Sequence, residues 1–289
     1  MSTGLFVGLA TLDVIQLVDA LPSANLKTTA RESWLAAGGP ATNAAIAFAA
    51  LGGRATLVTA LGEGPASEVV RADLRSAGVE VIDGAPRGFR LAPSVALVDA
   101  TTGDRAVVSG SGRRPDELFV DKSVADGADV VLLDGHHPGL VLPLARAVAA
   151  AGRPVVVDAG SHKPVFDELW AGVSDVICSA DYAHPSGRPP ESLRERGPEL
   201  VAVSHGAAPL AWWMADASGE LPVPAVEAVD TLGAGDVLHG AYAFALAEGR
   251  DRIEALSFGI AAASRRVTSL GPFAWRTILR TMLGTTPGE

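Results

Sequence analysis

One cysteine, two tyrosines and three methionines stand in a chain of 289 residues, and these scarcities already exclude several kinds of protein. The lone Cys178 can close no internal disulfide and build no cysteine-rich metal site, which fits a reducing compartment. Positive charge is short as well: 23 Lys and Arg against 33 Asp and Glu leave a formal charge of −10 and a pI near 5.1. Such a surface repels a phosphate backbone on average. The densest basic spots, Arg113-Arg114 and Arg265-Arg266, are too short to reverse that, so no nucleic-acid partner is expected. Long hydrophobic runs are missing too. Residues 1–14 lack a basic start and are interrupted by Asp13. Residues 139–152 contain Arg146 and fall short of the roughly 20 apolar residues that span a bilayer. A soluble, cytoplasmic protein with no membrane partner is the expectation.

What the chain does have is apolar surface to bury. With 48% apolar and only 19% charged residues, it suits a large globular core and argues against disorder. Short apolar runs at 5–9, 55–60, 129–133, 154–158, 175–178 and 200–204 read as buried strands. Residues 41–51, 67–77 and 140–151 read as helices. That alternation implies an α/β fold: a doubly wound, mostly parallel sheet flanked by helices. The last sixty residues turn mainly helical, at 234–248, 252–268 and 275–283. Two stretches, about 13–36 and 93–110, instead alternate apolar and polar, with a hairpin turn at 99–104. A small inserted β lid is expected there, strands edging the main sheet being the alternative. No long linker divides the chain, so 1–289 reads as one domain.

Three features carry chemistry. In Asp230-Thr231-Leu232-Gly233-Ala234-Gly235-Asp236, small residues open a helix whose first N–H groups lack partners and attract an anion. A carboxylate there repels a phosphate, but it makes sense as a base for a hydroxyl attacking phosphorus. An acid complementing the helix dipole beside a tight turn explains the local pattern about equally well. Gly38-Gly39-Pro40-Ala41-Thr42-Asn43 precedes another helix and forms either a polar cradle for hydroxyls or an ordinary glycine loop with a cap. Asp13, just past the first strand, stands where open α/β sheets bind ligands and could accept two hydroxyl hydrogen bonds. A solvated loop acid is the plain alternative.

Together these features resemble the PfkB (ribokinase-like) carbohydrate kinases, in order and over essentially the whole chain, with Gly52 and Gly62 at the expected later positions. The resemblance implies roles residue by residue. Asp236 matches the catalytic base, and Gly233, Ala234 and Gly235 match the anion hole. Asp13, Gly38, Gly39 and Asn43 match sugar-binding positions. Ser204 and Gly206, with Thr231, Gly233 and Gly235, match the nucleotide side. Asp230, Leu232, Thr268 and Gly271 match a monovalent-cation site. The implied small molecules are ATP, Mg²⁺, K⁺ and a sugar, and the implied partner is a second copy joined through the β lid. One departure concerns the metal: where the family has Asn-x-x-Glu, this chain has Cys178-Ser179-Ala180-Asp181, so Asp181 is the candidate to orient Mg²⁺ through water. Leu238 replaces a usual phenylalanine.

Residues 7–22 and 229–235 resemble ketohexokinases, while residues 38–41 and 235–241 look more like sulfofructose kinases, so a ketose or pentose is the expected substrate. Asp134-Gly135-His136-His137 could border the sugar pocket, and Trp212-Trp213 should pack the outer layer of the sheet. The remaining histidines, His162, His184, His205 and His239, read as surface or capping residues. A nucleoside kinase, or a sugar- or nucleotide-binding protein without catalysis, is the rival reading. A nicotinamide enzyme is discounted because Gly8-Leu9-Ala10-Thr11-Leu12-Asp13 lacks the Gly-x-Gly-x-x-Gly turn.

Overall fold

The computed structural model describes residues 1–103, 105–110, 115 and 117–283. Asp104, which ends the expected hairpin turn, and Arg113-Arg114 lie outside the described residues. In chain order the strands are β1 (Thr3–Val7), β2 (Thr11–Val18), β3 (Glu32–Gly38), β4 (Arg54–Thr59), β5 (Val79–Asp83), β6 (Pro93–Asp99) and β7 (Arg105–Val108). They continue with β8 (Val130–Leu133), β9 (Val155–Ala159), β10 (Asp175–Ser179), β11 (Leu200–His205), β12 (Ala208–Trp213) and β13 (Ser218–Leu221). The helices are α1 (Pro40–Ala50), α2 (Pro65–Ser76), α3 (Pro138–Ala150), α4 (Ala234–Ala247), α5 (Arg252–Arg266) and α6 (Ala274–Arg280).

Nine strands form one sheet in the order β13-β12-β11-β10-β9-β8-β1-β4-β5. From β11 to β5 every neighbouring pair is parallel. Such strands are covered on both faces and therefore read as unbroken apolar runs. Alternate residues face opposite sides. Phe6, Leu132, Val156 and Ile177 pack beneath α1, α4, α5 and α6, while Leu5, Val7, Val131 and Val157 pack beneath α3. At the antiparallel edge, Trp212 and Trp213 divide between these two layers. Each buried large side chain contributes roughly 1.5–3 kcal/mol.

The second sheet has the order β3-β2-β6-β7 and stands apart from the first rather than edging it. Its β2–β3 and β6–β7 pairs are antiparallel, but β2 and β6 run parallel, a pairing between segments about eighty residues apart that local alternation does not reveal. Ile15, Leu17, Ala96 and Val98 fill a small core with Trp34 and Leu232. Leu232 comes from the glycine loop before α4, so this sheet rests against that loop.

Two contacts bring α1 and α4 together. Phe48 of α1 lies edge-on to Phe6 of β1 at 5.3 Å and to Phe244 of α4 at 5.4 Å between ring centroids. Farther toward the N-terminus of α4, Gly240 lets the backbones touch: a Cβ there would stand 2.3 Å from the Ala44 carbonyl oxygen. Gly240→Ala should therefore lower stability by about 1–3 kcal/mol through overpacking, although alanine is the better helix former by about 1 kcal/mol. A urea denaturation midpoint below that of the wild type is the expected result.

Candidate functional site

The start of α1 and the start of α4 face one cavity of about 180 Å³. Its wall is completed by Asp13 and Ile15 of β2, Ala36 and Ala37 of β3, Arg266 at the end of α5, and Pro272 and Trp275 beyond it. Asp13, Gly39, Asn43, Leu232, Gly233 and Asp236 thus converge, although more than two hundred residues separate the first from the last. A larger depression of about 340 Å³ on the outside of α3, lined by Lys122, Leu142, Pro143, Arg146 and Ala147, offers no acid, amide or nucleophile.

Each of these residues is held by a local cause. Gly39 precedes α1 with φ +105°, and a Cβ on it would meet the Leu9 carbonyl oxygen at 2.4 Å. A Cβ on Gly38 would overlap the Asp13 carboxylate, so Gly38 lets that acid turn inward instead of lining the cavity itself. Asp13 sits within β2, a little beyond the expected strand-end position, and accepts from Thr11 Oγ1 at 2.6 Å. Burial raises its pKa, with that hydroxyl partly offsetting the shift. In the first turn of α1, Asn43 Nδ2 donates to Asp236 Oδ2 at 2.7 Å, so the amide orients the carboxylate in addition to facing the cavity.

The loop before α4 winds so that its N–H groups turn outward. Leu232 N–H is taken by Asp230 Oδ1 at 2.9 Å, and Gly233 adopts φ +75°. Ala234 N–H donates to Thr231 O at 3.2 Å and Val237 N–H to Gly233 O at 3.0 Å. The N–H groups left over at this helix start are therefore those of Gly233, Gly235 and Asp236, with Ala234 already engaged. Burial, reinforced by the charge of Asp158 and opposed by the Asn43 hydrogen bond, pushes the Asp236 carboxyl up to about 6.

Two more acids shape this field. Asp158, at the end of β9, accepts from Gly160 N–H at 3.1 Å and lies 3.5 Å from His239 Nδ1. The same ring faces Gly235 O at 2.7 Å and Ile177 O at 3.1 Å, locking the first turn of α4 to β10. Asp134 does not border the cavity; it accepts the N–H groups of Leu9 at 2.9 Å and Ala41 at 3.2 Å, pinning the end of β1 to α1. Burial works to raise its pKa, but the neighbouring His136 and these hydrogen bonds hold it well below the usual carboxylate range.

The other expected positions fall outside the cavity. Ser204 ends β11 with its hydroxyl toward Cys178 O at 3.3 Å, and Gly206 makes the exposed turn into β12 with φ +64°. Thr231 is exposed and accepts from Arg105 Nη1 of β7 at 3.3 Å. Cys178 is fully buried, and burial and the Asp158 charge push its thiol up, so it presents no ligand. Asp181 is exposed in the turn that follows. Among the described residues, one group of three could hold a metal: His162, Asp167 and His184. Arg196 Nη1 already occupies Asp167 Oδ1 at 2.5 Å, and the histidine spacing gives no sequence signal for the cluster.

One of the expected monovalent-cation ligands, Asp230, is engaged from within. Arg266, 2% exposed, donates from Nη1 to Asp230 O at 3.2 Å and Ser269 O at 2.9 Å, and from Nη2 to Asp230 Oδ2 at 2.9 Å. Gly271 turns its N–H to Asp230 Oδ2 at 3.1 Å, and Thr268 Oγ1 donates to Arg265 O at 2.8 Å. Asp230 thus spends both its carboxylate and its carbonyl oxygen on partners inside the protein. In the sequence Arg266 looked like half of a surface doublet, because buried arginines are rare. Asp158 looked like the polar end of a strand.

A family model described as pfkB family carbohydrate kinase matches residues 1–275. Ketohexokinase of Mus musculus is 27% identical over 285 residues, covering 91% of this chain and 95% of that protein. The ATP-dependent ribose-1-phosphate kinase of Halopiger xanaduensis is 30% identical over 251 residues, covering 80% of each. The structure of Arabidopsis thaliana ribokinase complexed with ribose and ATP has the same fold, with a TM-score of 0.78 over 99% of both chains at 22% identity. A match that runs through both sheets and into the last helix places this chain in the pfkB family of carbohydrate kinases, as a sugar kinase.

Proposed function

We propose that the chain transfers the γ-phosphoryl group of ATP to a hydroxyl of a ketose or pentose held in the cavity. The observation that carries this reading is Asp236: a carboxylate tuned to about 6, oriented by Asn43, facing the same cavity as Asp13. Asp13 and the backbone at Gly39 would hold neighbouring sugar hydroxyls, with Gly38 making room for the acid. Asp236 takes the hydroxyl proton as the new O–P bond forms, and the bond from the γ-phosphorus to the bridging oxygen breaks to release ADP. The N–H groups of Gly235 and Asp236, at the positive end of α4, stabilise the equatorial oxygens. Ser204, Gly206 and Thr231 are assigned to the nucleotide side. A cavity of about 180 Å³ is smaller than the roughly 300–1,000 Å³ of sites for drug-sized ligands, which favours a monosaccharide over a nucleoside.

The acids at the ends of β9 and β10 suit a hard, hydrated cation: Asp158 and Asp181 offer only oxygen donors, and the buried Cys178 offers nothing. They would hold Mg²⁺ through water, and that ion when bound would neutralise phosphate charge. The second sheet is assigned two roles. Arg105 reaching Thr231 and Leu232 filling its core support a lid over the sugar. On the opposite side, Leu35, Val14, Val95 and Val108 pair in one row across all four strands, and Leu35 and Val108 are 51% and 75% exposed. Such a row invites a second copy of the chain.

Asp236→Asn should lower kcat by about 10²–10⁴ in ADP release with a panel of ketoses, pentoses and sulfosugars, while sugar binding by thermal shift persists. In the wild type kcat should rise with pH through about 6 and then level off. Stability runs the other way. A carboxyl whose folded pKa lies above its ordinary 3.8 costs the folded state as pH rises from about 4 to about 6, and that cost stays above it. The asparagine variant should therefore melt higher at pH 8, by up to about 3 kcal/mol, the gain narrowing as pH falls toward 4. For the second sheet, sedimentation of the wild type should report a dimer, and Val95→Lys with Val108→Glu should give a monomer.

A further inference from the structure

We infer that Arg266 serves as a built-in monovalent cation, so that this sugar kinase needs no potassium. The inference rests, for its activity readout, on the kinase reading above. The loop 230–236 carries the helix start at which phosphoryl charge would develop, and its root is Asp230. Both the carboxylate and the carbonyl oxygen of Asp230 are taken by one guanidinium, which also holds Ser269 O in the following loop. A free cation in this place would have to coordinate the same oxygens, beside a buried like charge it cannot displace. The guanidinium supplies what such an ion would: one positive charge behind the helix start and a bridge between the 230 and 269 loops. Its planar fork spans a carboxylate and two carbonyls at once. Arg266 borders the cavity too, but its guanidinium is directed at Asp230 and Ser269, so it acts as a positioning residue.

The test compares KCl with tetramethylammonium chloride at equal ionic strength, in turnover and in melting temperature. Wild-type turnover should agree within about twofold, and the melting temperatures should coincide. Arg266→Met should lose at least about tenfold in tetramethylammonium and regain at least about threefold when KCl or millimolar guanidinium chloride is added. Arg266→Lys, which keeps a charge, should retain more turnover than the methionine variant and stands in if that variant does not fold. A rise of tenfold or more in wild-type turnover with K⁺, or K⁺-specific stabilisation of the wild type, overturns the inference. So does an Arg266→Met protein that is fully active, or folded and inactive without rescue by either ion. If no sugar is phosphorylated in either salt, the kinase reading fails instead, and the melting temperatures still show whether K⁺ binds.

Discussion

The hydrogen bond from Asn43 to Asp236 joins the first turns of two helices that the chain makes almost two hundred residues apart. It can form only because α1 and α4 approach closely, which requires a glycine where their backbones touch and aromatic edges to seal the contact with β1. Parallel strands impose the rest. Both helices start near one edge of the sheet, so their N–H groups gather on the side where strand-end acids also lie. The second sheet leaves β1 after only three residues and turns Asp13 back toward that edge. A local misplacement anywhere in this circuit moves the carboxylate relative to the rest of the cavity.

Three acids in this region sit in different surroundings. Asp134 is surrounded by N–H donors and an imidazole and stays ionised as a structural pin. Asp158 shares its surroundings with His239, which ties it to α4. Asp236 receives one amide donor and faces another acid, so its carboxyl rises toward neutrality. Between Asp134 and Asp236, both pushed upward by burial, the hydrogen-bond donors and the sign of the neighbouring charge make the difference. In Asp236 burial and a like-charged neighbour outweigh the single amide donor, so its ionisation destabilises the fold.

Much of this was legible before any coordinates. Strands buried on both faces appear as unbroken Val and Leu runs, so β1, β4, β8, β9, β10 and β11 could be read directly. The edge strands β5 and β13, and β12 beside the latter, could not, because Val79-Glu80-Val81 and Ser218-Gly219-Glu220 are half solvated and look like loop. The parallel pairing of β2 with β6 is a long-range choice that no local pattern encodes. At the site, glycine loops announced Asp236 and Asn43 because helix starts have a recognisable chemistry. Arg266 had no such announcement: a basic residue ending a helix is ordinary until its partners are known. Nor did spacing show that Ala234 spends its N–H on Thr231.

An ion drawn from solution obeys mass action, leaving its site when the medium is dilute and yielding to competitors when it is not. A charge carried on Arg266 has no such equilibrium. Its local concentration is set by the peptide backbone, and it can leave Asp230 only if the end of α5 and the loop to Ser269 come apart with it. Occupancy of that position is thereby folded into the cooperative stability of the chain, and ionic composition loses its hold on the helix start above it.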